Sequence, residues 1–63
     1  MKVRDVVRRL EIDGWRLVRQ KGSHRAYKHP EKPMVVTVAG HWNDDLPVGT
    51  LKSILRKAEM NES

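Results

Sequence analysis

The apolar residues of this chain change their period twice, and each change falls at a glycine or a proline. Val3, Val6, Val7 and Leu10 recur at i, i+3, i+4 and i+7, which is one face of a helix. Gly14 follows where a left-handed C-terminal cap favours glycine, so the spacing predicts a helix over 3–13. Asp5 and Arg9, four apart, can pair on its outer side. From Trp15 the pattern becomes short β-prone runs over 15–20, 24–28 and 34–38. Lys21-Gly22 separates the first two, and His29-Pro30-Glu31-Lys32-Pro33 separates the last two as a five-residue hairpin loop. Residues 39–46 read as an irregular loop. Pro47 then sits where the first turn of a helix tolerates proline, and Val48, Leu51, Ile54, Leu55 and Ala58 mark that helix's buried face. Residues 61–63 are expected to fray. The predicted order is α-β-β-β-α, an α+β domain with a three-stranded antiparallel sheet.

Sixty-three residues suit one domain, 1–63, with a thin core, since a chain of this size buries only ~60% of its unfolded surface. Chemistry is therefore expected on an open surface, with a large substrate. The absence of cysteine excludes disulfide staples and thiolate metal sites. Arg4, Asp5, Arg8 and Arg9 interrupt every early apolar run, and no stretch approaches the ~18 apolar residues of a membrane span. A soluble, cytoplasmic protein with no membrane partner is expected. Charge is unevenly spread. Residues 1–32 hold ten basic and four acidic side chains (net +6), whereas 33–63 hold three and four (net −1). That asymmetry points to a polyanion-facing half, with nucleic acid as first candidate, or to a solvated basic surface.

Strand register decides where the histidines point. Pairing the first two strands around Lys21 sets Tyr27 opposite Trp15 and Arg25 opposite Leu17. Pairing the last two sets Tyr27 opposite Val36 and Arg25 opposite Val38. Trp15, Leu17, Tyr27, Met34, Val36 and Val38 then share a face on which both helices can pack, with Arg19 and Arg25 as misfits. Arg16, Val18, Gln20, His24, Ala26, Lys28, Val35 and Thr37 fall on the other, open and basic face. This register buries the largest apolar area, which decides the matter in so small a core. His24 then lies near Ala39, and the loop carrying His41 and Trp42 leaves from the same edge.

Histidine is the side chain best suited to trading protons near neutral pH. RNA can be cleaved without a metal when a base takes the 2′-hydroxyl proton, an acid protonates the leaving 5′-oxygen and cations steady the phosphorane. Lys21-Gly22-Ser23-His24-Arg25 supplies a base, flanking cations, a hydroxyl and a flexible glycine. His24 is thus a catalytic candidate, weighed against the inertness of most surface histidines, with His41 as acid–base partner. Arg16, Lys21, Gly22, Ser23, Arg25 and Lys28 are candidate RNA-binding residues. His29 is expected only to shape its turn. The histidines with Asp44 and Asp45 do not match a tetrahedral zinc constellation, so no metal is expected. Trp42 can stack on a base, cap the core edge or dock a partner, and the sequence leaves these open.

Asp13-Gly14-Trp15, Lys21-Gly22-Ser23-His24, Lys28-His29-Pro30 and Leu46-Pro47-x-Gly49-Thr50-Leu51-x-x-Ile54-Leu55 resemble, in order, segments of the HicA toxins of bacterial toxin–antitoxin pairs. The resemblance implies a fold like a double-stranded-RNA-binding domain, with two helices on one face of the sheet. It also implies endoribonuclease activity on mRNA, a catalytic histidine at His24, inhibition by a HicB-like antitoxin and no metal cofactor. This chain departs from the family in two places. Asp44-Asp45 stands where members often carry a basic residue, which bears on loop contacts to RNA. Ala58-Glu59-Met60 stands where the last helix commonly ends in Ala-Gly-Leu, which bears on that terminus. The alternative is a non-catalytic RNA-binding module that docks through the basic sheet face and the first helix. A DNA-binding role is weaker, because neither helix has a helix–turn–helix partner.

Overall fold

The structure is a computed structural model that describes residues 1–60; residues 61–63, expected to fray, lie outside the described residues. The order is α1 (Val3–Asp13), β1 (Arg16–Lys21), β2 (His24–His29), β3 (Lys32–Ala39) and α2 (Val48–Lys57). The strands form one antiparallel sheet in the order β1-β2-β3. Val3, Val6, Val7 and Leu10 of α1 and Ile54 of α2 meet Trp15, Tyr27, Val36 and Val38 in a single core. This is the α-β-β-β-α architecture expected, with both helices on one face of the sheet. Burying an aromatic ring removes roughly 150–250 Å² from water, so Trp15 and Tyr27, the largest fully buried side chains, anchor that core. No helix among the described residues is long and apolar enough to cross a membrane.

Both helices close in the same way. At α1, Trp15 N–H donates to Leu10 O (3.0 Å) and Gly14 N–H to Glu11 O (3.1 Å), with Gly14 at φ 108°. At α2, Met60 N–H donates to Leu55 O (2.8 Å) and Glu59 N–H to Arg56 O (3.1 Å). Those pairs are the Schellman pattern, which places one residue in the left-handed region. At α2 that residue is Glu59, at φ 55°. The start of α1 is covered by the loop after β3. Val3 N–H donates to Asp44 O (2.9 Å) and Arg4 N–H to Trp42 O (3.1 Å), satisfying donors that a helix start leaves free.

Several expectations are corrected. The β2–β3 register is the predicted one, with Tyr27 opposite Val36, Arg25 opposite Val38 and His24 opposite Ala39. In β1–β2, however, Tyr27 faces Leu17 instead of Trp15, and Arg25 faces Gln20 instead of Leu17, with a register shift between Leu17 and Arg19. A bulge admits one extra residue and inverts the facing of everything beyond it. Arg19 and Lys21 therefore join His24 on the open face, and Gln20 moves to the helix side. Leu17 and Met34 stay about half exposed outside the core, and Val48, expected on the buried face of α2, is 67% exposed. The expected five-residue loop is a turn at Pro30 and Glu31, with Lys32 and Pro33 inside β3. Proline is tolerated there because β3 is an edge strand and its register with β2 shifts between Tyr27 and His29. Pro47 stands just before α2, not within its first turn.

Candidate functional site

Two residues, Gly22 and Ser23, turn β1 into β2, and Lys21 and His24 face each other across that turn. Gly22 has φ 59°, while Ser23 is not at positive φ, the distribution that glycine-first hairpin turns use. Nothing lies near a Cβ built on Gly22, so the backbone angle and not crowding favours glycine here.

The turn is fastened from the helix side. Gln20 Nε2 donates to Gly22 O (3.1 Å), and Gly40 N–H donates to Ser23 O (3.2 Å). Arg25, 5% exposed, sends its Nη1 to Ser23 O (3.3 Å) and Gly40 O (2.9 Å). Its guanidinium carbon lies 3.9 Å from the centroid of the Trp42 ring. Arg25 Nε is buried without a hydrogen-bond partner among the described residues. Arg25, a candidate RNA ligand from sequence, is thus a clamp between the hairpin turn and the Gly40 loop. Burial also pushes the Tyr27 phenol above its ordinary value, against an opposing pull from Arg25.

On the opposite face, His24 is exposed at a groove of about 660 Å³ lined by Arg19, Lys21, Gly22, Ser23, Ala26 and Thr37, with Arg25 at its border. Within the described residues the His24 ring makes no hydrogen bond or ion pair, and neither Lys21 nor Arg19 is tied to a carboxylate. Two free cations therefore flank a free imidazole on a surface open to a large substrate. Sequence reasoning missed Arg19, because the bulge that turns it outward leaves no mark beyond a charge on a nominally apolar face.

The remaining candidates lie elsewhere. Arg16 and Lys28 pair at the other end of β1–β2, and Arg16 Nη1 donates to Trp15 O (3.1 Å) and Glu11 O (3.5 Å). Four residues of strand at ~3.3 Å each separate Lys28 from His24 by roughly 13 Å. His41 does not line the groove; its backbone N–H donates to Asp44 Oδ2 (3.0 Å) in the loop over α1. That bond gives Asp44, one of the two family departures, a structural role. No group of three or more His, Asp or Glu among the described residues is gathered to hold a metal.

His29 closes the far end of β2. Its Nδ1 accepts from Glu31 N–H (3.0 Å), which leaves Nε2–H to donate to Asp13 O (2.7 Å). The ring meets Trp15 edge-on at 5.4 Å, and a Cβ on Gly14 would come within 2.9 Å of it. Asp13 Oδ2 accepts from Trp15 Nε1 (3.2 Å) and Lys32 Nζ (2.7 Å), and Lys32 also donates to Ala58 O (2.8 Å). The Lys32 hydrogen bond is the main cause holding the Asp13 carboxyl below its usual 3.8. Asp13-Gly14-Trp15 and Lys28-His29-Pro30 are thus two sides of one packed junction.

A family model described as the HicA toxin of bacterial toxin–antitoxin systems matches residues 3–60. A search of curated proteins finds none that matches.

Proposed function

The chain belongs to the HicA toxin family of bacterial toxin–antitoxin systems, and from that premise we propose that it is a metal-independent endoribonuclease acting on mRNA. The observation that carries this reading is the free His24 imidazole beside Lys21 and Arg19 in an open groove. A phosphodiester laid there meets a base for the 2′-hydroxyl proton. The hydroxyl oxygen attacks the adjacent phosphorus, the bond to the 5′-oxygen breaks, and the leaving oxygen takes a proton from the now-protonated His24 or from water, giving a 2′,3′-cyclic phosphate and a free 5′-hydroxyl. Lys21 and Arg19 offset the charge that builds on the phosphorane. His24 is the only imidazole lining the groove, which makes it the candidate for the proton transfers. A HicB-like antitoxin is the protein partner of this reading, silencing the toxin by covering the groove.

Incubating labelled RNA in EDTA with wild-type and His24→Ala protein tests the reading. Wild-type cleavage that survives EDTA and falls about 10²–10⁴-fold in a folded His24→Ala protein supports it. Cleavage undiminished by the substitution rejects His24, and RNA that is shifted but intact identifies a binding module. Added antitoxin should leave the RNA whole.

A further inference from the structure

Of the three aromatic residues, Trp15 and Tyr27 are buried and Trp42 is 47% exposed. One face of its indole rests on Arg25, whose guanidinium is itself held by Ser23 O and Gly40 O. Arg4 N–H holds the Trp42 carbonyl. The ring is therefore set in place before any ligand arrives, so little conformational freedom remains to be lost on binding. Trp42 borders a second groove, of about 370 Å³, that Arg4, Arg8, Glu11, Gln20 and Leu17 also line. Arg25 borders both this groove and the one at His24. Arg4 lies at the Trp42 end; Glu11, about two turns along α1, adds an opposing charge at the far end.

We propose that Trp42 is a stacking platform for one unpaired base of the RNA substrate, with Arg4 and Arg8 beside its phosphates. This rests on the ribonuclease reading above. The strand then passes round the Gly22-Ser23 turn and brings a neighbouring phosphodiester to His24. A base inside a duplex has no face to offer, so the substrate at this point is single-stranded. Glu11 repels a backbone running further along α1, which confines the platform to about one nucleotide. Aromatic stacking accepts any base, so this site contributes affinity and strand position more than sequence choice.

The test uses a short 2′-O-methyl RNA oligonucleotide, which cannot be cleaved, and an abasic oligonucleotide of equal length. Trp15 is fully buried, so fluorescence quenched by the ligand reports Trp42. Quenching by the base-bearing oligonucleotide and not by the abasic one is expected. Trp42→Leu should weaken binding of the former by about 5- to 150-fold, with Trp42→Phe recovering most of it. Equal quenching by the abasic oligonucleotide overturns the proposal, as does wild-type affinity in Trp42→Leu. If Trp42→Leu instead binds RNA normally but loses the antitoxin, the ring is a protein contact and the proposal fails. Circular dichroism checks folding; should Trp42→Leu not fold, wild-type quenching and Trp42→Phe affinity decide. The cleavage assay on His24→Ala is independent of all these readings. Loss of the nuclease reading and loss of the platform are therefore separate results.

Discussion

His24 and His29 stand at the two ends of one strand, and the two ends of this molecule treat an imidazole in opposite ways. Five positions apart on a strand, they fall on opposite faces. His29 turns toward the helices, where Asp13 O and Glu31 N–H engage its two nitrogens and Trp15 covers its edge. His24 turns to solvent beside Lys21 and Arg19, free of any bond among the described residues. One end is stapled: Lys32 joins the Asp13 carboxylate to Ala58 O and so ties the ends of both helices together. The other end keeps its carbonyls fastened behind the sheet and an unbonded imidazole in front. Both nitrogens of His29 are committed to the fold, whereas the His24 ring keeps both open to solvent, and alternation along the strand sets that difference.

The sharpest way to break this comparison is to exchange the consequences of the two substitutions. His24→Ala should carry the largest effect, the cleavage loss described above, while the unfolding free energy from urea titration stays within about 0.5 kcal/mol of wild type, as for an exposed residue. His29→Ala should do the reverse. It removes two hydrogen bonds and the ring against Trp15, at a cost of about 2–3 kcal/mol read from urea unfolding. At low temperature, where the variant remains folded, cleavage should persist. A His29→Ala protein that is stable and inactive would mean that the two roles have been assigned the wrong way round.

The third substitution sharpens the stapled end. Glu59 holds φ 55° in the closing turn of α2, a geometry that Gly14 adopts at the end of α1. A residue with a Cβ is strained in this region by roughly 1–2 kcal/mol relative to glycine, and the greater chain entropy of unfolded glycine offsets part of that. Glu59→Gly should therefore stabilise the protein by about 0.5–1 kcal/mol in thermal or urea unfolding. No gain would show that Glu59 makes compensating interactions in the folded state.

How much of this was legible in the sequence depended on whether a residue's neighbours were set by period or by detail. The helices followed from the spacing of Val3, Val6, Val7 and Leu10 and from Gly14, because burial repeats with the helix period. The β2–β3 register followed from Tyr27, Val36 and Val38, whose apolar side chains had to share a face. The β1–β2 register did not, because a bulge at Val18 changes facing without changing composition. Gln20 was therefore placed in front and Arg19 behind, whereas Leu17 faces the helix side as expected and stays half exposed because β1 is an edge strand. At the candidate site, an outward His24 was legible because it alternates with the buried Arg25 and Tyr27. The clamp was not. Nothing in the order of residues says that Arg25 reaches Ser23 O and Gly40 O, or that Trp42 lies over it. Such contacts depend on how a loop folds back, and the loop after β3 carries no period at all. His41 shows the same thing in reverse: it leaves from the predicted edge, yet its backbone is tied to Asp44, outside the groove.

The smallest expected effect is electrostatic and belongs to the stapled end alone. Lys32 holds the Asp13 carboxyl below 3.8, so the folded protein favours the ionised form more than the unfolded chain does. A lowered folded value means the contribution is complete above the unfolded value and is lost as pH falls through the folded one. With 36% of the Asp13 side chain exposed, solvent screens the pair, and its contribution is that of an exposed ion pair, about 0.2–1 kcal/mol. Wild type should be more stable than Asp13→Asn at pH 6, and the gap should narrow as pH drops below about 3.8, closing once the Asp13 carboxyl is protonated in the folded protein as well. Unfolding midpoints for both proteins between pH 6 and pH 2 measure this. A gap that stays constant across that range would assign the role of Asp13 to hydrogen-bond geometry at the junction, which Asn also disturbs, and not to its charge. His24, at the other end of the sheet, enters neither curve as a difference, so the measurement isolates the stapled end.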